Sequence, residues 1–349
     1  MVVCETSFRI KKMNTQKAIS TLVQASLLLV ISVLVIFGSL IIYIINPDLF
    51  QTKKFVWHVP DIKSEVPEGR AGDEIKYGYA LVTESSRWMG PLAPDGKQYA
   101  GNNLNCQSCH LDAGTKRGSA SWIGVVQRFP QFRGRENKIG TIEDRVNGCM
   151  ERSMDGTALP IESKEMRAIV AYMNWLGEGI PEDTLDYFKG FAKLEIPTEA
   201  ASPIKGAVIY EQECKVCHGE NGAGVWKADS SGYQYPPLWG KDTYNHGAGM
   251  HRVLTAAQFV KGNMPWGVAT INNPKLTDEE AYHVAAYINS FERPQKSNTD
   301  ADFPDRKLKP MSTPYGPYDD DFSLEQHKYG PFQPIAKYYK ETYDIKKSK

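Results

Sequence analysis

The sequence predicts an all-α protein in which one long apolar helix precedes two tandem helical units. Residues 22–45 are a nearly unbroken aliphatic run, which gives the first element. Beyond it the chain repeats itself: Ala171-Tyr172-Met173-Asn174 is matched by Ala286-Tyr287-Ile288-Asn289 at an offset of 115 positions. Each unit also holds one Cys-x-x-Cys-His string, Cys106–His110 in the first and Cys214–His218 in the second.

The apolar run carries no charge from Ala18 to Pro47. At about 1.5 Å per residue, 22–45 is long enough to cross the roughly 30 Å hydrocarbon core of a bilayer. Arg9, Lys11, Lys12 and Lys17 precede it. The positive-inside rule therefore predicts residues 1–21, including Cys4, in the cytoplasm and the rest of the chain across the membrane, in the periplasm. A cleaved signal peptide is the rival, but its apolar core is normally only about 7–15 residues and ends at small residues. This run closes on Ile41-Ile42-Tyr43-Ile44-Ile45, so an uncleaved single-pass anchor in the inner (cytoplasmic) membrane is expected.

The two strings carry the chemistry. In Cys-x-x-Cys-His each thiol can add across a haem vinyl group to form a thioether, and the adjacent histidine offers its ring to the iron. Two covalently bound haem c groups are predicted, on Cys106, Cys109 and His110 and on Cys214, Cys217 and His218. Zinc is the alternative, yet zinc ribbons space their pairs roughly 15–20 residues apart. Here 105 positions separate Cys109 from Cys214. Of six cysteines, only Cys4 and Cys149 remain, and they do not form a structural pair.

Around each string the pattern is helical. Gly78 with Val82, and Gly206 with Tyr210, mark a helix before each haem string, where glycine lets two helices cross closely. Ser163 and Thr277 are N-cap residues opening the closing helices, whose apolar positions recur at three and four. Helix, haem string, loop, distal ligand and closing helix is the layout of a class I cytochrome c domain. Two are predicted, 57–180 and 204–294, joined by a linker at 181–203. An irregular Pro- and Tyr-containing tail follows at 295–349, in which Asp319-Asp320-Asp321 reads as a solvated run. No strand pattern is evident. Forty-one basic and 41 acidic residues cancel, so no global field draws nucleic acid.

The offset also points to the sixth ligands. Met264, in Gly262-Asn263-Met264-Pro265-Trp266, is the expected thioether ligand of the second haem, with Met250, His246 and His251 as competitors. Counting back 115 positions from Met264 gives Cys149. A cysteine thus stands where the sister unit has methionine. Met150 and Met154 are the alternatives if Cys149 is only a small core residue. Thiolate ligation pushes electron density onto iron, whereas Met/His ligation raises the potential, so electrons are expected to run from the first haem to the second. Around Cys149 the neutral chain turns basic: eight Lys or Arg residues against four acids lie between Lys116 and Arg152. Guanidinium forks suit oxyanions, which makes Arg135 and Arg145, with Ser153, candidate substrate contacts.

Cys106–His110 followed by Leu111-Asp112-Ala113-Gly114-Thr115-Lys116, then Phe129-Pro130-Gln131-Phe132-Arg133, then the run from Gly140 to Met154, resembles the dihaem thiosulfate dehydrogenases. The resemblance spans residues 59–291. It implies a His110/Cys149-ligated first haem where two thiosulfates couple to tetrathionate, and a His218/Met264-ligated second haem that passes electrons to an external acceptor. That acceptor would be a periplasmic or membrane-bound carrier, cytochrome c or similar. It further implies Cys149 as catalytic cysteine and Arg135, Arg145 and Ser153 as substrate-pocket residues. Some members place Lys beside the distal Met; Asn263 here implies no lysine-to-methionine ligand switch. The expected chemistry is an S–S adduct on the Cys149 sulfur that a second thiosulfate displaces. Two rivals stand beside it: a tetrathionate reductase on the same scaffold, and a non-enzymatic dihaem relay. A relative retuned for another sulfur or nitrogen oxyanion is also compatible.

Overall fold

The computed structural model describes residues 15–46, 57–94 and 96–349. Helix α1 (Thr15–Ile45) follows from the uninterrupted aliphatic run. Two of its hydroxyls bond within the helix: Thr21 Oγ1 donates to the Lys17 carbonyl and Ser32 Oγ to that of Leu28. Over Lys17–Ile45 it is long and apolar enough to cross a membrane. Cys4, Arg9, Lys11, Lys12 and Pro47 lie outside the described residues.

Trp57–Lys349 form a separate body. Its first half contains α2 (Arg70–Thr83), α3 (Ser85–Met89), a hairpin of β1 (Gln131–Arg133) and β2 (Lys138–Gly140), then α4 (Ile142–Met150), α5 (Lys164–Leu176) and α6 (Leu185–Phe188). Its second half contains α7 (Pro203–Glu213), α8 (Lys215–His218), a hairpin of β3 (Val225–Trp226) and β4 (Tyr233–Tyr235), then α9 (Val253–Asn263) and α10 (Asp278–Ile288). The body is therefore mainly helical, and the two antiparallel hairpins correct the expectation of no strands. Strands of two or three residues are too short to show alternation.

The two halves are built on one plan. Gly78 of α2 lies so close to α5 that a methyl there would strike the Ala168 carbonyl and Tyr172 Cβ. Gly206 of α7 stands in the same relation to the His283 carbonyl and Tyr287 Cβ of α10. Tyr172 and Tyr287 are the equivalent residues of the repeat, so each glycine permits the same close helix crossing. The closing helices begin as their caps dictate. Ser163 accepts from the Met166 N–H; Thr277 accepts from Glu280 N–H, and Glu280 accepts in return from Thr277 N–H. Each such cap contributes about 1 kcal/mol. Leu81, Ile123, Met150 and Met166 are buried in the first half, and Leu254, Tyr282 and Val284 in the second.

Residues 295–349 are not an irregular tail. They include α11 (Leu324–Tyr329) and α12 (Gln333–Tyr343). Phe332, Ile335 and Tyr339, spaced by three and four, are buried in the core of the second half. Burying each such side chain contributes about 1.5–3 kcal/mol. The acidic run is not simply solvated either. The Asp320 carboxylate is buried, accepting from Tyr339 Oη and pairing with His327 Nε2 at 2.9 Å. A short helix flanked by proline and glycine hid this periodicity in the sequence.

Candidate active site

Each Cys-x-x-Cys-His string forms a tight turn that opens onto a cavity. In the first half, Cys106–Ser108 make one 3-10 turn, closed by reciprocal hydrogen bonds between Asn105 and Ser108. His110 Nδ1 bonds the Ala120 carbonyl at 2.8 Å, and Ala120 holds a left-handed φ of 53°. In the second half, His218 Nδ1 bonds the Pro236 carbonyl at the same 2.8 Å. A carbonyl on Nδ1 fixes ring orientation and leaves Nε2 as the free ligating atom. Both histidines line the cavities beside their cysteines, about 290 Å³ in the first half and about 350 Å³ in the second. Mostly apolar walls, two thiols and one oriented imidazole are a donor set that fits haem c. Leu104, Asn105 and Cys109 line both cavities, so the two sites share a wall.

Cys149 enters the first cavity from the C-terminal end of α4. That helix starts where Thr141 and Asp144 cap each other's backbone N–H groups. Arg145, one turn before the cysteine, donates from Nη1 to Cys149 Sγ at 2.8 Å. Burial alone would push the Cys149 thiol up, but the Arg145 guanidinium and the His110 ring outweigh it and bring the thiol down to about 6. Burial instead drives Cys106 up to about 11 and Cys109 and Cys214 to about 12. Met150 and Met154 also line this cavity.

Among the described residues, the charged groups on the cavity wall are Arg128, Arg133, Arg145 and Lys189, with no carboxylate beside them in the lining. Arg133 is partly neutralised by Glu136, Nε to Oε2 being 3.0 Å. Arg128 donates to the Leu185 carbonyl. Ser153 lines the cavity, and its own carbonyl accepts from Asn102 Nδ2. Arg135 does not reach the cavity, which corrects the expectation for it. Its Nη1 is taken by Asp302 at 2.6 Å, the Gly247 carbonyl and Tyr315 Oη. No local pattern signals this pairing, because Asp302 lies 167 positions away. Lys189 was also missed; it sits in the linker, where no local pattern marks it.

In the second cavity Met264 follows directly on α9, and Met250 lines the wall as well. His246 and His251 are not among the lining residues: His251 Nδ1 bonds the His246 carbonyl, and His246 Nδ1 accepts from Lys296 N–H. Asn263 is buried and its Nδ2 donates to the carbonyls of Phe259 and Gly118, tying the two halves together.

Residues 97–181 match the family model described as SoxA/TsdA, cytochrome c domain, and residues 204–292 match the cytochrome c model. A thiosulfate dehydrogenase of Stutzerimonas stutzeri (strain A1501) is 37% identical over 236 residues, covering 68% of this chain and 73% of that protein. This chain belongs to the thiosulfate dehydrogenase family. Another family member, from Allochromatium vinosum, is 36% identical over 233 residues, with 66% of this chain and 82% of that protein covered. A solved thiosulfate dehydrogenase structure (TsdBA, "as isolated" form) from Marichromatium purpuratum aligns with a TM-score of 0.63 and 31% identity. That alignment takes in 70% of this chain but only 51% of the solved one, so the chain spans about half of its length. The two matched cytochrome c domains of this thiosulfate dehydrogenase family chain indicate haem c as its cofactor. Residues 295–349 lie beyond both matched segments.

Proposed function

We propose that this chain oxidises thiosulfate, coupling two molecules to tetrathionate on the sulfur of Cys149. The observation that carries this reading is one sulfur, held at 2.8 Å by Arg145, in a cavity whose charged lining residues are all cations. Thiosulfate is a dianion and a thiolate is an anion. Arg145, Arg128, Arg133 and Lys189 offset the repulsion that would otherwise keep them apart. A dihaem relay without a substrate has no use for this arrangement.

His110 and Cys149 are the ligands proposed for the first haem, His218 and Met264 for the second. The thioether attachments are Cys106 and Cys109, and Cys214 and Cys217. Bound in this way, the two haems supply one-electron acceptors and a metal site for the ligating sulfurs. In the first step the Cys149 thiolate bonds the outer sulfur of thiosulfate, and two electrons leave as Cys149–S–S–SO₃⁻ forms. In the second, the outer sulfur of another thiosulfate attacks that of the bound one. The Cys149–S bond breaks, tetrathionate departs, and the cysteine keeps the electron pair as thiolate. Arg145 stays with the sulfur throughout; Arg128, Arg133, Lys189 and Ser153 hold the incoming sulfonate oxygens. Positioning replaces an encounter between two repelling dianions. Because S–S exchange runs both ways, the same groups serve tetrathionate reduction.

The wall of Leu104, Asn105 and Cys109 offers electrons a short route from the first site to the second, towards a membrane-bound or periplasmic carrier. Helix α1 is proposed as a single-pass anchor in the inner membrane that leaves the haem domains in the periplasm. The test is Cys149→Ala. Both haems should remain attached while thiosulfate oxidation is lost; oxidation at the wild-type rate would refute the covalent role.

A further inference from the structure

Asp302 lies beyond the second cytochrome domain, yet its buried carboxylate holds two guanidinium groups of the first. Oδ1 accepts from Arg152 Nη2 at 2.6 Å; Oδ2 accepts from Arg135 Nη1 at 2.6 Å and from Tyr315 Oη at 2.8 Å. The backbone joins in, because Phe303 N–H donates to the Arg135 carbonyl at 2.7 Å and the Arg135 guanidinium lies over the Phe303 ring. One carboxylate thus compensates a buried cation, Arg152, and a half-buried one, Arg135, that would otherwise repel each other.

Arg152 links this carboxylate to the reacting sulfur. Its Nη1 donates to the carbonyl of Gly148, the residue before Cys149, at 3.3 Å. Its own N–H donates to the Cys149 carbonyl at 3.2 Å, and its carbonyl accepts from Asn245 N–H. Gly148 is flanked by two guanidiniums: a methyl on it would lie in ordinary contact, 3.5 Å from Arg152 Nη1 and 3.6 Å from Arg133 Nη2. Among the described residues Arg152 Nε is already buried without a partner, so losing the carboxylate would leave a second buried donor of the same side chain unsatisfied. Glu151, 3.6 Å away, is more than a third exposed and is a weak substitute.

We propose that Asp302 is a positioning residue for the Cys149 site. By holding Arg152 and Arg135 it fixes the end of α4 that carries the sulfur, and it keeps both guanidiniums from competing with Arg145 for that sulfur and for the substrate. The proposal rests on the reading of Cys149 as haem ligand and reacting residue. It also gives the segment after the second domain a role in the chemistry of the first.

The experiment uses full-length, haem-loaded Asp302→Asn, with electron paramagnetic resonance, absorption, kcat and KM as readouts. The thiolate-type signal of the first haem should shift, the second-haem signal should stay at its wild-type position, and kcat should fall on the order of tenfold. Asp302→Glu, which retains the carboxylate, should recover most of both changes. A clasp that only stabilises the fold would reduce the yield of protein and leave the spectrum of the folded fraction unmoved. A first-haem signal at the wild-type position therefore overturns the proposal, whatever the kcat. Should Asp302→Asn fail to accumulate, the charge-balanced pair Asp302→Asn with Arg152→Gln carries the test under the same criterion. Absence of any thiolate signal in the wild-type protein refutes the Cys149 reading itself, separately from the role of Asp302.

Discussion

Arg145 Nη1 stands 2.8 Å from Cys149 Sγ, one turn away on the same short helix. That spacing is what an α-helix gives residues four apart, so cation and sulfur are held together by local structure. Replacing Arg145 with Met should cost the charge-assisted hydrogen bond, about 1.5–3 kcal/mol. In kcat/KM for thiosulfate that is a loss of roughly 10- to 150-fold. Arg145→Lys should recover part of it, since the charge returns without the planar fork. Steady-state kinetics at fixed ionic strength checks both.

Met264 and Met250 line the second cavity together, and they separate by mutation. Met264→Ala should lower the potential of the second haem, because the thioether that raises it is gone. Met250→Leu should leave that potential where it was. Redox titration followed by absorption distinguishes them. The opposite pattern would make Met250 the ligand.

Gly78 and Gly206 make equivalent close approaches in the two halves, so Gly78→Ala and Gly206→Ala should both destabilise. A methyl has to displace backbone, not the end of a flexible side chain. The expected cost is about 1–3 kcal/mol each, the usual range for overpacking. Urea unfolding of the haem-loaded protein measures it. Gly240→Ala is a useful contrast: it has open space around it but a φ of 87°, so any cost there comes from backbone strain alone.

The caps Ser163 and Thr277 and the two Cys-x-x-Cys-His turns were legible in the sequence because each depends on residues a few positions apart; Gly78 and Gly206 were legible as small residues one turn before an apolar one, although the helices they meet are distant in sequence. The repeat offset carried the inference further, bringing Met264 and Cys149 to the walls of equivalent cavities. What could not be read was long-range. Arg135 looked like a pocket cation because its charge is local, but its partner Asp302 is 167 positions away. Lys189 looked like linker. The last segment reads as irregular because prolines and glycines break it into pieces too short for periodicity to register, although Phe332, Ile335 and Tyr339 do follow a helical spacing.

Acid should loosen the Asp302 clasp. Burial pushes the Asp302 carboxyl up, but Arg152, Arg135 and Tyr315 together hold it below its ordinary 3.8. A folded-state value below the unfolded one means that the stabilisation is complete above about pH 4 and disappears as pH falls through the folded-state value. Asp302→Asn should therefore unfold more easily than wild type at neutral pH, by about 3–5 kcal/mol, since it strands buried charge. That gap should narrow in acid. A gap that stayed constant down to the acid limb would argue against an ionised Asp302.

Peptide mass spectrometry of the wild-type protein, quenched during turnover with thiosulfate, tests the central claim most directly. The predicted result is a mass increase of one thiosulfate on the peptide containing Cys149, absent from Cys149→Ala and discharged by thiosulfate once the electron acceptor is exhausted. Steady turnover with no adduct on that peptide, or with an adduct on another cysteine, would contradict it.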